Sequence, residues 1–184
     1  MQIGFVSETG RGASDAVLAK VVDLLAAQGV RLAGTVQSNT ERPDRAHCDM
    51  DVQVLPDGPC FRISQDLGAH AKGCRLDPSA LEQAVMAVSA RLAAGQVLVI
   101  NKFGKLEAEG RGFCNLIAEA LSRDMTVLVG VNGLNRAAFE AFAGGMAVSV
   151  GRDPEAICAW VLAAQAAKTQ GGFDVANGLA LQTA

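Results

Sequence analysis

The stretch Val97–Gly112 has the sequence VLVINKFGKLEAEGRG, and the interpretation of the whole chain starts from it. Its first four residues are apolar and mostly β-branched, which is typical of a buried strand. A glycine-containing loop with charges of both signs follows at once, and a helical pattern comes next. An open α/β sheet presents a ligand site in this way, at the carboxyl end of a strand. The alternative is a solvated loop whose lysines and glutamates simply face water.

The chain is mildly acidic and rich in apolar residues. Its 184 residues carry a formal net charge of −3, and 50% of them are hydrophobic. This length fits one domain with one substantial core, which we place at residues 1–170, followed by a weakly patterned tail at 171–184. Acidic character argues against nucleic acid as a partner, so any anion binding must be local.

The N-terminal sequence and the cysteines predict a cytoplasmic protein. A strand pattern, QIGFV, begins at Gln2 without the basic segment and long apolar run of a signal peptide. No apolar stretch approaches the ~20 residues that a membrane helix needs, so we expect no membrane insertion. The 5 cysteines are widely spaced and odd in number, which favours reduced thiols over a disulfide framework.

Strand and helix patterns alternate along most of the chain. The predicted strands are 2–6, 30–37, 49–55, 60–64, 97–100, 126–131 and 147–150, and the predicted helices are 16–28, 78–94, 113–123, 134–143 and 154–168. Asp77 is the N-cap candidate of the second helix, and Pro78 fits its first position. This alternation predicts an α/β fold, a three-layer sandwich with a mostly parallel sheet. The turn PDGP at 56–59 adds a β-hairpin to it.

A second loop, SETGRGASD at 7–15, connects the first strand to the first helix. A working P-loop, GxxxxGK[ST], cradles phosphates on backbone amides, and its lysine and hydroxyl contact phosphate and magnesium. Here the lysine is missing, and Ser14 and Asp15 fall where Lys and Ser/Thr would be. The helix N-terminus can still hold an anion. The predicted ligand-binding residues of this loop are Gly10, Arg11, Gly12, Ser14 and Asp15.

The central loop offers cations for the same ligand. Asn101 ends the strand where P-loop proteins carry an acid for the magnesium hydration shell, and an amide is a poorer magnesium ligand. If the two strands are neighbours, Lys102 or Lys105 can replace the absent lysine. We therefore predict that Asn101, Lys102 and Arg111 bind the ligand.

Carboxylates near the two loops are the candidates for activating water or holding a metal. They are Glu8, Asp15, Glu107 and Glu109. Glu107 is preferred because it follows an apolar residue one turn into the loop. The predicted catalytic residues are therefore Glu107 and Lys105, and ion pairing among these charges is the alternative.

The middle segment contains a second group of polar and thiol side chains: His47, Cys48, Cys60, His70 and Cys74. Thiolate and imidazole suit soft or borderline metals, although no standard zinc spacing is present. The predicted metal ligands are Cys48 and Cys74, with either histidine. Buried packing is the expectation for Cys60, Cys114 and Cys158.

The central segment also resembles a known motif. VLVINKFGKLEAEGRGF looks like the segment of the THEP-type nucleoside-triphosphatases in which an apolar strand precedes Asp-Glu-Ile-Gly-Lys-Met-Glu. Gly104, Lys105 and Glu107 match this motif. Asn101 and Lys102 stand in place of its two acids.

A resemblance to a bacterial family of degenerate P-loop proteins, often encoded beside molybdate-uptake genes, covers nearly the whole chain. It rests on the lysine-free loop and on the segments GTVQ at 34–37, CDMD at 48–51, ISQDLG at 63–68, GCRLDP at 73–78 and NKFGKLEAEGRG at 101–112. The resemblance implies a P-loop NTPase-like fold and a link to molybdenum. It implies a nucleotide with magnesium, or molybdate, as the ligand.

Three functional hypotheses follow. The first is a P-loop-like protein that binds a small phosphate-bearing or oxyanionic ligand between the two loops and hydrolyses a nucleotide slowly or not at all. The second is a non-enzymatic accessory protein that binds molybdate or the pterin of the molybdenum cofactor. The third is an interaction protein whose loops contact a partner; association as a homodimer stays open.

Overall fold

The computed structural model of the chain describes residues 2–8, 12–43, 48–67 and 75–179, with side chains described as far as residue 168. The strands are β1 (Ile3–Val6), β2 (Leu32–Thr40), β3 (Asp49–Val54), β4 (Cys60–Arg62), β5 (Val97–Phe103), β6 (Thr126–Val131) and β7 (Ala147–Ser149). The helices are α1 (Ala13–Ala27), α2 (Pro78–Leu92), α3 (Lys105–Ala108), α4 (Cys114–Ser122), α5 (Arg136–Ala143) and α6 (Pro154–Leu179), with a 3₁₀ turn at Gly133–Asn135.

The strands form one sheet in the order β4-β3-β2-β5-β6-β1-β7. Four neighbouring pairs, from β2 through to β7, are parallel. The β3–β4 hairpin extends the sheet beyond β2. In it, β3 pairs antiparallel with β2, and β4 pairs antiparallel with β3. The predicted α/β fold with a mostly parallel sheet and an added hairpin is therefore confirmed.

The sheet separates two apolar cores. Side chains alternate along β5, so Val97 and Val99 pack with α1 and α6, whereas Leu98 and Ile100 pack with α2, α4 and α5. All four side chains are fully buried. Their burial on both faces explains the unbroken apolar run, because helices cover a parallel strand from both sides.

Several elements extend beyond their predicted ends. The strand β2 continues to Thr40 because residues 35–40 pair with the whole of β3. The strand β5 continues through polar residues to Phe103, which pairs with Val131 of β6. The helix α6 runs past its predicted end at residue 168, and residues 180–184 of the predicted tail lie outside the described residues. Within the described ranges, no helix combines the length and apolarity needed to span a membrane.

Candidate functional site

A cavity of about 430 Å³ opens at the carboxyl edge of the sheet. Both loops contribute to it: Gly12 and Asp15 come from the first loop and the start of α1, and Lys102, Lys105 and Glu107 come from the segment after the centre of β5. The strands β1 and β5 are not neighbours, since β6 lies between them. Both are parallel to β6, so their carboxyl ends still lie at the same edge.

The first loop ends in a left-handed glycine. Gly12 has φ 75°, a conformation that favours glycine, and α1 begins at the next residue, Ala13. Registering the P-loop pattern on Gly12 puts Ala13 at the lysine position and Ser14 at the hydroxyl position. This register is one residue earlier than the predicted one, which put Ser14 and Asp15 at these two positions. Two of the predicted ligand-binding residues, Gly10 and Arg11, lie outside the described residues.

Asp15 is the centre of a buried polar network. The side chain is 4% exposed. Asn101 Nδ2 donates to Asp15 Oδ1 at 2.9 Å, and Asn39 Nδ2 donates to Asp15 Oδ2 at 2.7 Å. Gln37 Nε2 reaches Asp15 Oδ2 at 3.4 Å, and the Gln37 backbone N–H donates to Asn101 Oδ1 at 2.9 Å. The network thus ties α1 to the ends of β2 and β5.

Glu107 binds backbone amides on both sides of its loop. Its Oε2 accepts from the Gly104 N–H at 2.9 Å, and its Oε1 accepts from the Phe113 N–H at 3.1 Å. Burial raises the pKa of this carboxyl, and the same two N–H groups oppose the rise. Glu107 therefore lies in the cavity wall, and its two hydrogen bonds connect Gly104 to Phe113.

A glycine makes this contact sterically feasible. A Cβ on Gly112 would lie 2.2 Å from Glu107 Oε1, and the backbone there has φ +58°. Any larger residue would collide with the carboxylate and strain the backbone. In the GRG sequence at 110–112, the last glycine therefore leaves the space that the Glu107 carboxylate occupies.

The cationic side chains differ in how free they are to reach a ligand. Lys102 is exposed and lines the cavity. Lys105 is also exposed at the rim, with its Nζ 3.9 Å from Glu109. Arg111 forms an ion pair with Glu109 and, among the residues that the structure describes, is not part of the cavity wall. The structure thus brings the two lysines to the cavity and Arg111 to a surface ion pair.

These features can be compared with known proteins. The family model for "Protein of unknown function (DUF2478)" matches residues 3–160. The chain belongs to the DUF2478 family.

One curated relative is "Molybdenum import ATP-binding protein ModC 2" from Bradyrhizobium diazoefficiens, which is 34% identical over 149 residues. The match covers 79% of this chain and 16% of that protein, so the chain spans about a sixth of its relative's length. Whatever the rest of that relative does is outside the matched region.

Two solved structures have a similar fold. The THEP1 structure from Aquifex aeolicus has a TM-score of 0.58 at 17% identity and covers 84% of this chain and 91% of its own. A human cancer-related nucleoside triphosphatase has a TM-score of 0.55 at 19% identity, with 88% and 95% covered. At these identities the likeness establishes a P-loop NTPase-like fold for this DUF2478 member and nothing about its ligand.

The cysteines of this DUF2478 chain have different environments. Cys48 is half-buried and lines the cavity, whereas Cys74 lies outside the described residues, as do both histidines. Within the described part of the chain, no three His, Cys, Asp or Glu residues are close enough to hold a metal. Cys114 and Cys158 are buried as predicted. The expectation for Cys60 is wrong: it is exposed because it lies on the edge strand β4.

Sequence reasoning missed the polar residues that β2 contributes. Thr35, Gln37 and Asn39 line the cavity, and the structure adds Asn132 from the end of β6. The available signal was the spacing of two residues, which places Thr35, Gln37 and Asn39 on one face of a strand. The polar run after residue 37 hid this signal, because it is also typical of a loop.

Proposed function

We propose that the chain binds a nucleotide, or another phosphate-bearing or oxyanionic ligand, in the cavity beside the N-terminus of α1. The observation that carries this proposal is the position of the polar end of the cavity at the start of a 15-residue helix, within a P-loop NTPase-like fold. A helix N-terminus carries about half a positive charge and unpaired backbone N–H groups, which favour an anion.

The cations of the β5–α3 segment supply the rest of the charge in this proposal. Because Ala13 stands at the lysine position, Lys102 or Lys105 contacts the phosphate or oxyanion instead. Both lysines are exposed, so their side chains can move toward a ligand without breaking a buried contact. The backbone amides that follow Gly12 fix the anion in position.

The donor set does not suit a protein-bound magnesium ion. Both oxygens of Asp15 already accept hydrogen bonds from amide groups, and the residue of β5 that faces Asp15 is Asn101 instead of a carboxylate. Magnesium prefers carboxylate and water oxygens. Magnesium therefore enters the proposal only as the counter-ion that a nucleotide brings with it.

Weak or absent triphosphatase activity follows from the same residues. In this proposal Glu107 is the one candidate for activating water, with Lys105 on the leaving phosphate. Glu107 is buried, and both of its carboxylate oxygens already accept hydrogen bonds from backbone amides, which leaves it poorly placed to take a proton from water. We therefore expect the chain to bind a nucleotide and to hydrolyse it slowly or not at all.

A second candidate function is the non-enzymatic binding of molybdate or the molybdenum cofactor. The lysine-free first loop and the amide side chains of the cavity favour it, because both suit a compact oxyanion held by hydrogen bonds. The 34% identical relative, a molybdenum import ATP-binding protein, supports both candidates.

A thermal-shift panel tests the proposal. The probes are ATP, ADP and GTP with and without magnesium, and molybdate, tungstate, sulfate and phosphate. A ligand present at 100 times its Kd stabilises the folded state by about 2.7 kcal/mol, so a true ligand raises the melting temperature by several degrees. If no nucleotide and no oxyanion changes the melting temperature, the proposal is wrong.

Lysine variants locate the site by titration calorimetry. Removing the lysine that contacts the ligand should weaken binding tenfold to a hundredfold, since a charge-assisted hydrogen bond contributes about 1.5–3 kcal/mol. The variants are Lys102→Ala, Lys105→Ala and the double variant. Lys20→Ala, on the exposed face of α1, is the matched control. Unchanged affinity in a folded double variant would contradict this placement.

A further inference from the structure

The cavity extends from the N-terminus of α1 over the surface of the β2–β3 pair. In this antiparallel pair Gln37 lies opposite Val52, and Asn39 lies opposite Met50. Directly opposed residues project from the same face of a sheet, and all four line the cavity. The floor of this part of the cavity is therefore polar along β2 and apolar along β3.

The remaining walls of this region are mostly apolar. Arg75 also lines the cavity, and its guanidinium donates to the Gln65 and Cys48 carbonyls. Ile63, Leu76, Leu81 and Phe113 line it from the hairpin, from α2 and the segment before it, and from the start of α4. A phosphate group or a bare oxyanion would lose its hydration against these side chains without gaining a partner. The whole cavity, including its end at α1, has a volume of about 430 Å³, which is in the usual range for organic ligands.

Thr35 is the unusual residue on the polar side. Its side chain is 1% exposed and lines the cavity, and its Oγ1 has no hydrogen-bond partner among the described residues. Buried hydroxyl groups are nearly always paired, because leaving one unpaired is unfavourable. A ligand edge that carries a nitrogen or a carbonyl would provide the missing partner.

We infer that this region, the β2–β3 pocket, binds a fused heteroaromatic ring such as a purine or a pterin. The apolar faces of the ring pack between β3 and the Leu81 and Phe113 side chains, and its polar edge pairs with Thr35 Oγ1. The inference deepens the proposed function, because the anionic end of the same ligand lies at the N-terminus of α1. It names Thr35 as a residue that determines ligand specificity.

The first test compares ligands with and without a ring. In titration calorimetry, ATP or GTP should bind at least tenfold more tightly than inorganic triphosphate. Adenosine, guanosine and pterin, which carry no phosphate, should bind weakly but measurably, and the tightest of them identifies the source of the ring. Equal affinity for ATP, GTP and triphosphate, together with no binding of the phosphate-free rings, would overturn the inference and leave the proposed anion site intact.

The second test uses a matched pair of variants. Thr35→Val keeps the shape of the side chain and removes its hydroxyl, whereas Thr35→Ser keeps the hydroxyl. The valine variant should bind the ring-bearing ligand about threefold to tenfold more weakly, with unchanged affinity for inorganic triphosphate. The serine variant should stay close to the parent. Equal affinity of parent and valine variant for every ring would overturn the role of Thr35.

The two proposals fail in different ways. If the phosphate-free rings bind but triphosphate and the oxyanions do not, the β2–β3 pocket is supported and the anion site at α1 is wrong. If triphosphate binds as tightly as ATP and GTP and the phosphate-free rings do not bind, the anion site is supported and the β2–β3 pocket is wrong.

Discussion

Asn101 Nδ2 donates a hydrogen bond of 2.9 Å to Asp15 Oδ1, and so the end of β5 is tied directly to the first turn of α1. These residues are 86 positions apart in the chain. Both are almost completely buried. The pair joins the two glycine-containing loops, although their strands are separated by β6.

Replacing Asn101 by aspartate should destabilise the fold. Two carboxylates would then face each other in a buried site, and the amide donor to Asp15 would be lost. We expect Asn101→Asp to lower the free energy of unfolding by about 1–3 kcal/mol at neutral pH, measured by urea denaturation.

The swapped double variant, Asp15→Asn with Asn101→Asp, is the matched control. It keeps one carboxylate and one amide at this position, and the Gln37 N–H still meets an oxygen at residue 101. We expect it to recover most of the lost stability, as coupled neighbours do in a double-mutant cycle. A double variant that is as unstable as the sum of the single variants would mean that the pair is not coupled.

Restoring the absent P-loop lysine should strengthen phosphate binding. Ala13 is the first residue of α1, directly after Gly12, and it occupies the lysine position of the P-loop pattern. We expect Ala13→Lys to increase the affinity for ATP about tenfold, because it adds a charge-assisted hydrogen bond. The control is Ala16→Lys, which adds the same charge at an exposed position of α1. Equal gains in both variants would point to bulk charge instead of a built site.

The fold was predictable because its signals are local and repeated. The apolar run at 97–100 and the glycine after α1 marked element boundaries directly. Asp77 and Pro78 predicted the start of α2, and Asp77 Oδ1 accepts from the Ser79 N–H at 2.9 Å. Signals of this kind depend only on residues that are close in sequence, so they can be identified without the tertiary structure.

The missed features depend on contacts between distant residues. The helix α3, Lys105–Ala108, is too short to show a helical period, and it depends on Glu107 for its cap. Asn39 lies in a polar run that is typical of a loop in sequence, but the hairpin extends β2 beyond its predicted end at residue 37 to Thr40. Cys60 was expected to be buried, and its place on the edge of the sheet exposes it.

Thiol reactivity should follow burial. Burial raises the pKa of Cys114 to about 11, and the nearby charge of Glu107 makes a smaller contribution to this rise. Only about 0.1% of the thiol is therefore ionised at pH 8. Cys60 is exposed. We expect iodoacetamide at pH 8 to modify Cys60 rapidly and Cys114 only after unfolding, as measured by peptide mass spectrometry. Rapid labelling of Cys114 in the folded protein would contradict its burial at the start of α4.

Glu107→Gln should weaken the β5–α3 loop, with an effect that depends on pH. Glutamine has one acceptor oxygen, so it can satisfy either the Gly104 N–H or the Phe113 N–H, and the variant should lose about 1–3 kcal/mol of stability. Because burial raises the pKa of Glu107 in the folded protein, ionisation of this carboxyl opposes folding. The contribution of Glu107 to the free energy of unfolding is therefore fully present below its ordinary pKa of 4.5. It is lost as the pH rises through the raised pKa of the folded protein.

Urea denaturation of parent and variant across this pH range measures the effect. The difference in unfolding free energy should be larger near pH 5 than near pH 8, because only the parent titrates at residue 107. Glu109→Gln provides a control whose difference should stay nearly constant between pH 5 and pH 8, since the ion pair with Arg111 lowers the pKa of Glu109 and its stabilising contribution is lost only at pH values below the ordinary 4.5. If the Glu107→Gln difference instead widens with pH, the backbone N–H groups outweigh burial, and folding lowers the pKa of Glu107.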